Sequence, residues 1–122
     1  MDVLDIKGTD DTPTVKMDKA AGIIEFSGRS LPEDVATFYK PVMEWLDEYS
    51  ADPNDHIDVC FKLEYFNTAS SKQLMDILLK FSAINDKVTI KWYSHEDEED
   101  IEDAGKEYEE IVDDVQFEFI KY

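Results

Sequence analysis

Residues 57–81, IDVCFKLEYFNTASSKQLMDILLKF, change hydrophobic period half-way along, and that change decides the fold. Ile57, Val59, Phe61, Leu63 and Tyr65 alternate with Asp58, Cys60, Lys62 and Glu64, the period-2 pattern of a half-buried strand. Leu74, Ile77, Leu78 and Phe81 then recur at helical spacing, so the strand hands over to an amphipathic helix running to about Asn85. The junction, residues 65–74 (YFNTASSKQL), holds Asn67, Thr68, Ser70 and Ser71 and places three hydroxyls at a helix N-terminus. Two readings of those hydroxyls are open. Ser70 with Gln73 fits a capping box, and Thr68 or Asn67 would cap one turn earlier, because a side-chain oxygen there satisfies a backbone N–H without a helical partner. Alternatively one hydroxyl accepts a phosphate, which the unpaired N–H groups and the positive end of the helix dipole would favour.

The same pattern logic extends in both directions. Upstream, Ser30 and Glu33 form a capping box around Pro32, and Val35, Phe38, Val42, Leu46 and Tyr49 follow as a helical stripe. Pro41 removes a backbone donor and predicts a kink or a split near Lys40. Before this helix, Val15 and Met17, then Ile24 and Phe26, read as a β-hairpin, with Leu4 and Ile6 as a short edge strand or arm. Downstream, Asn85 and Asp86 make a turn, and Val88, Ile90 and Trp92 form another half-buried strand. Ser94 with Asp97 signals the start of a last helix carrying Ile101, Ala104, Tyr108 and Ile111 on one face, and Val115, Phe117 and Phe119 give a closing strand. Each strand has one apolar and one mostly polar face, as expected when helices cover a single side of the sheet. The pattern predicts an α/β two-layer sandwich, a mixed β-sheet with three helices on one face, in a single domain spanning residues 1–122.

Thirty acidic against twelve basic residues give a formal charge of −18 at pH 7, which repels nucleic acid phosphates and anionic membranes. Residues 57–93 are near neutral, so a phosphate near Thr68 would meet the least hostile local field in the chain. Cys60 is alone, which rules out an intramolecular disulfide and a thiolate metal cluster. MDVLDIKG at the start has no basic region followed by an apolar stretch and no run approaches a membrane span, so the expectation is a cytoplasmic protein with no membrane insertion.

Catalytic signatures are missing. His56 and His95 have no histidine at i+3 or i+4, HEDEEDIEDAGKE is out of register for an EF-hand, and no GxSxG, GxxxxGK[ST] or GxGxxG is present. The acidic stretch after Ser94 reads instead as a solvated helix face or a docking surface for a basic partner. The reading is of a protein that is not an enzyme and needs no metal or cofactor. A small apolar-ligand-binding module of the same fold, without a phosphoswitch, is the alternative, and an enzyme using the acidic tract as a divalent-metal site is a third.

Four segments together, TPTVKMD (residues 12–18), PVMEWL (41–46), FNTASSK (66–72) and WYSHEDEEDIEDAGKEY (92–108), resemble the SiaC-like regulatory phosphoproteins of bacteria, whose fold is similar to that of STAS-type anti-sigma factor antagonists. The resemblance implies that Thr68 is the residue phosphorylated by a partner Ser/Thr kinase and restored by a partner phosphatase, with Asn67, Ser70, Ser71 and Lys72 shaping the phosphosite loop and the partner contact. It also implies a signalling adaptor whose unphosphorylated form binds and activates a diguanylate cyclase, raising cyclic di-GMP. Ala69 stands where many relatives are expected to carry serine.

Overall fold

A computed structural model describes residues 1–84 and 87–122; the turn expected at Asn85 and Asp86 lies outside the described residues. Strands β1 (Leu4–Ile6), β2 (Thr14–Asp18) and β3 (Ile23–Ser30) form an antiparallel meander, with Val15 opposite Phe26 and Met17 opposite Ile24. Helix α1 (Val35–Tyr49) then leads to β4 (Ile57–Phe66), α2 (Thr68–Ile84) to β5 (Val88–Ser94), and α3 (Glu99–Ile111) to β6 (Val115–Lys121). The strands from β3 onward pair in parallel, and the sheet order follows the chain from β1 to β6. Strand–helix–strand crossovers are right-handed, so three successive ones that step in the same direction leave their helices on the same face. The result is the expected two-layer sandwich with a mixed sheet.

Burial follows the alternation. Val59 and Phe61 of β4, Ile90 and Trp92 of β5 and Phe26 of β3 are buried under Leu46 of α1 and Leu74, Ile77 and Phe81 of α2. An aromatic run crosses the sheet: Phe26 stacks on Phe61 at 4.9 Å, Phe61 meets Trp92 at 5.5 Å, and Trp92 meets Tyr108 of α3 edge-on at 5.6 Å. The opposite face is polar and half exposed; there Lys62 lies 4.8 Å from the ring centre of Tyr122.

Several local expectations are corrected. Tyr65 does not continue the buried face of β4 but is 51% exposed. The pairing with β3 shifts between Gly28 and Arg29, so that Gly28 opposes Leu63 while Arg29 opposes Tyr65, leaving Glu64 as an extra residue. A bulge of one residue reverses the parity, turns Tyr65 outward and brings Phe66 inward, 6.3 Å from Trp92. Gly28, opposite the bulge, has φ +99, a conformation that L side chains rarely adopt.

In α1 the cap is Asp34, whose Oδ1 accepts from the Thr37 N–H at 3.1 Å, and not Ser30, which closes β3. The helix runs through Pro41 without splitting. Both Pro41 and Thr37, whose carbonyl loses its donor, are exposed, so that carbonyl is open to water in place of the missing bond. Its buried face holds the expected Val42, Leu46 and Tyr49 together with Tyr39 and Trp45, while Phe38 is only half buried.

In α2 no capping box forms between Ser70 and Gln73; Asn67 is the cap, its Oδ1 accepting from the Ser70 N–H at 2.8 Å. In α3 the start is Glu99, Ser94 is the buried end of β5, and Ile111 is 59% exposed. Gly105 takes the packed position instead, so close to Trp92 that a Cβ there would lie 2.5 Å from Cδ1 of the indole.

Candidate functional site at the β4–α2 junction

Strand β4 ends at Phe66, and the chain turns straight into α2 with one residue, Asn67, between them. Asn67 carries three hydrogen bonds: its N–H donates to the Ser30 carbonyl at 3.2 Å, its own carbonyl accepts from the Ser71 N–H at 2.9 Å, and its amide oxygen caps Ser70. This fixes the direction in which α2 leaves the sheet.

Below the junction lies a buried hydroxyl chain. Ser30 Oγ donates to Ser70 Oγ at 2.9 Å, and Ser70 Oγ donates in turn to the Ser30 carbonyl at 2.9 Å. With the one proton of Ser30 committed, the 2.7 Å contact between Ser30 Oγ and Tyr39 OH has Tyr39 as its donor. All three side chains are fully buried, so every hydroxyl proton has a partner where an unpaired one would be costly. Burial pushes the Tyr39 phenol up to about 12.

Above the junction Thr68 is exposed, as the first residue of α2. Its carbonyl accepts from Ser71 Oγ at 2.7 Å, while its hydroxyl has no hydrogen-bond partner among the described residues. Lys72, one turn on, is exposed as well. The Tyr108 hydroxyl of α3 donates to the Ser71 carbonyl at 2.8 Å, tying the third helix to this turn. Burial first, then the neighbouring Glu107 carboxylate, raises the Tyr108 pKa.

The five residues singled out from the sequence therefore lie in two consecutive turns but divide by direction. Asn67 and Ser70 point inward and hold the turn, Ser71 bridges to α3, and Thr68 and Lys72 face solvent. Ser30, Tyr39 and Tyr108 complete the site and were not legible in the sequence. Ser30 lies 40 residues from Ser70 in the chain, and no local pattern marks a hydroxyl chain closed through tertiary contact. Among the described residues, no group of three His, Cys, Asp or Glu side chains is gathered as a metal site would require. No helix among them is long and apolar enough to cross a membrane.

The architecture is a mixed α/β fold, and its β4–α2 junction presents an exposed threonine at a helix start. The chain belongs to the SiaC family: the family described as "SiaC family regulatory phosphoprotein" matches residues 6–122. An uncharacterised protein of Pseudomonas aeruginosa is 30% identical over 113 residues, 90% of each chain. The crystal structure of apo-SiaC from Pseudomonas aeruginosa superposes with a TM-score of 0.87 at 28% identity, covering 98% of this chain and 99% of that one. SiaC in the crystal structure of the diguanylate cyclase SiaD in complex with its activator SiaC, also from Pseudomonas aeruginosa, gives a TM-score of 0.89 at 27% identity, covering 98% and 99%.

Proposed function

We propose that this protein is a partner-switching adaptor gated by reversible phosphorylation of Thr68, not a catalyst, and that its unphosphorylated form binds and activates a diguanylate cyclase in cyclic di-GMP signalling. A Ser/Thr kinase and a phosphatase are its other partners in this reading. The observation that carries it is the division of labour at the junction. Asn67 caps α2 and Ser70 is locked in the buried hydroxyl chain, so Thr68 is spared a structural duty and its hydroxyl stands in solvent. Membership of a family described as regulatory phosphoproteins, and the complex in which the relative SiaC activates a cyclase, supply the partner class.

Phosphorylation adds about −1.5 to −2 charges and a tightly held hydration shell at the first residue of the helix. A partner covering Thr68 would have to desolvate that group, and a hundredfold loss of affinity needs only about 2.7 kcal/mol. The helix itself tolerates the change, since an anion at an N-terminus is favoured by the dipole and Lys72 stands at i+4. The switch thus acts on the partner's surface and not on the fold.

Phosphosite mapping on protein purified from its host, with phosphatase inhibition, should find a phosphate on Thr68. Thr68→Ala should remove it while partner binding is retained, and Thr68→Glu should weaken binding at least tenfold. Phosphate found only on another residue, or a glutamate variant that binds as well as the unmodified protein, would defeat the proposal.

A further inference from the structure

We infer that the outer edge of β6 is a docking site for an extended partner segment that alternates apolar residues with lysine or arginine and adds to the sheet as a further strand. The inference goes beyond the phosphoswitch and does not rest on it.

The sheet ends at β1 on one side and at β6 on the other, and the two edges are unlike. β1 has three residues, too few to template a partner, whereas β6 runs for seven, without a proline and without a register shift against β5. Just beyond it, Tyr122 donates its N–H to the Ser94 carbonyl and accepts from the Glu96 N–H, both at 3.1 Å and both on the β5 side. Backbone groups alternate in direction along a strand, so Val115, Phe117, Phe119 and Lys121 turn their N–H and C=O groups to the outer edge, where no other strand of the described residues pairs with them. The side chains of this same set lie on the helix-covered face, in register with Ile90 and Trp92. Phe117 and Phe119 stack there at 6.0 Å and are only half buried. A strand laid along the edge pairs the outward backbone groups and covers the open flanks of both rings.

Charge selects the occupant. On the helix side Glu102, Lys106 and Glu109 share one face of α3, and the 3.4 Å contact of Glu102 with Lys121 places that face over β6. Lys106 and Lys121 both turn to Glu102, so the two cations of this edge are already engaged. On the open face of β6 stands Glu118, exposed, while its cross-strand neighbour Lys91 lies 3.9 Å from Asp58. Glu109 and Glu118 have no ion pair among the described residues. Residues 96–114 hold twelve acidic residues against Lys106 alone, so a second copy pairing edge to edge would set one such stretch against another. An alternating apolar and basic strand fits instead: its apolar residues meet Phe117 and Phe119 on the helix side, and its lysines or arginines meet Glu118 on the other.

The test uses the full chain and two fluorescein-labelled peptides of about nine residues, one alternating valine with lysine and one valine with glutamate. Fluorescence anisotropy should show binding of the lysine peptide only, weakening at least tenfold between 50 and 300 mM NaCl. N-methylation of its valine amides or of its lysine amides removes one alternating set of donors. Only one set faces β6, so only one of the two methylated forms should lose binding, at least tenfold. Amide exchange followed by NMR should slow on binding at Val115, Phe117 and Phe119 and stay unchanged at Gln116 and Glu118, which point to β5. Glu118→Lys should weaken binding at least tenfold with an unchanged circular dichroism spectrum, whereas Glu44→Lys, an equal change of charge at an exposed position of α1, should leave it unchanged. Equal binding of both peptides, no binding of either, equal effects of the two methylations or of the two lysine variants, or unslowed exchange at Val115, Phe117 and Phe119 would overturn the inference. So would exchange at those amides that slows with protein concentration in the absence of peptide, which would give the edge to a second copy.

Discussion

Asn67 and Thr68 are adjacent polar residues at one helix start, yet the structure gives them opposite sensitivities. The Asn67 side chain satisfies a first-turn N–H that has no other acceptor, so Asn67→Ala should cost about 1 kcal/mol. Thr68→Ala removes an exposed hydroxyl and introduces a better helix former, so its effect should stay within about 0.5 kcal/mol. Urea denaturation of the two variants side by side decides this, and equal destabilisation would mean that Thr68 has a structural role. Tyr39 supplies a second test at this scale. Its phenol is held up at about 12 by burial, above the unfolded value near 10. A raised pKa means that the folded state keeps its proton longer, so the associated stability is complete below pH 10 and is lost as pH rises from about 10 through 12. Tyr39→Phe has no proton to lose and should show a shallower fall in urea midpoint across that window, although it is less stable at pH 8 for want of the Ser30 bond.

At the scale of elements, α3 makes one very close approach to the sheet, at Gly105 over Trp92. Trp92 Nε1 donates to the Ile101 carbonyl at 2.7 Å, which pins the indole, and Gly105 lets the helix backbone pass directly over it. A Gly105→Ala substitution gains about 1 kcal/mol of helix propensity but forces a Cβ to within 2.5 Å of a ring that cannot move aside. Overpacking of that kind costs about 1–3 kcal/mol, so the net effect should be destabilising, read as a lower urea midpoint and altered tryptophan fluorescence. The opposite outcome would mean that α3 slides readily on β5. Helix boundaries were also decided here. Ser30 and Ser94 look like caps by spacing, but both ended up as buried final residues of parallel strands, because the chain needs a few more residues to turn from the sheet into the helix layer. Asp34 shows the consequence: it takes the cap that spacing assigns to Ser30.

For the whole molecule the dominant fact is the charge of −18, carried most densely by the stretch around α3. Among the described residues the ion pairs, Lys19 with Asp52 at 2.9 Å and Lys121 with Glu102 at 3.4 Å among them, lie near the surface, where such pairs contribute about 0–1 kcal/mol. Self-repulsion among the acids should therefore set the salt response of the fold. Raising NaCl from 10 to 300 mM should increase stability by about 1 kcal/mol, roughly 3–5 °C in thermal midpoint, through screening. A falling midpoint would show that attractive pairs outweigh the repulsion.

The layer architecture was legible because period-2 alternation in every major strand leaves one face to bury, and that alone demands helices on a single side. The junction with its threonine at a helix start was legible for the same local reason, a change of period that traps hydroxyls there. Strand order, the outward turn of Tyr65 and the partnership of Ser30, Tyr39 and Ser70 were not. Alternation reports which face a residue is on and never which strand lies beside it, and a one-residue bulge reverses that face without any change in residue type. Local pattern therefore determined the layers and the position of Thr68 in the chain. Packing between segments remote in sequence decided that Asn67 and Ser70 hold the turn while Thr68 faces solvent, because only a folded sheet brings Ser30 to within 2.9 Å of Ser70.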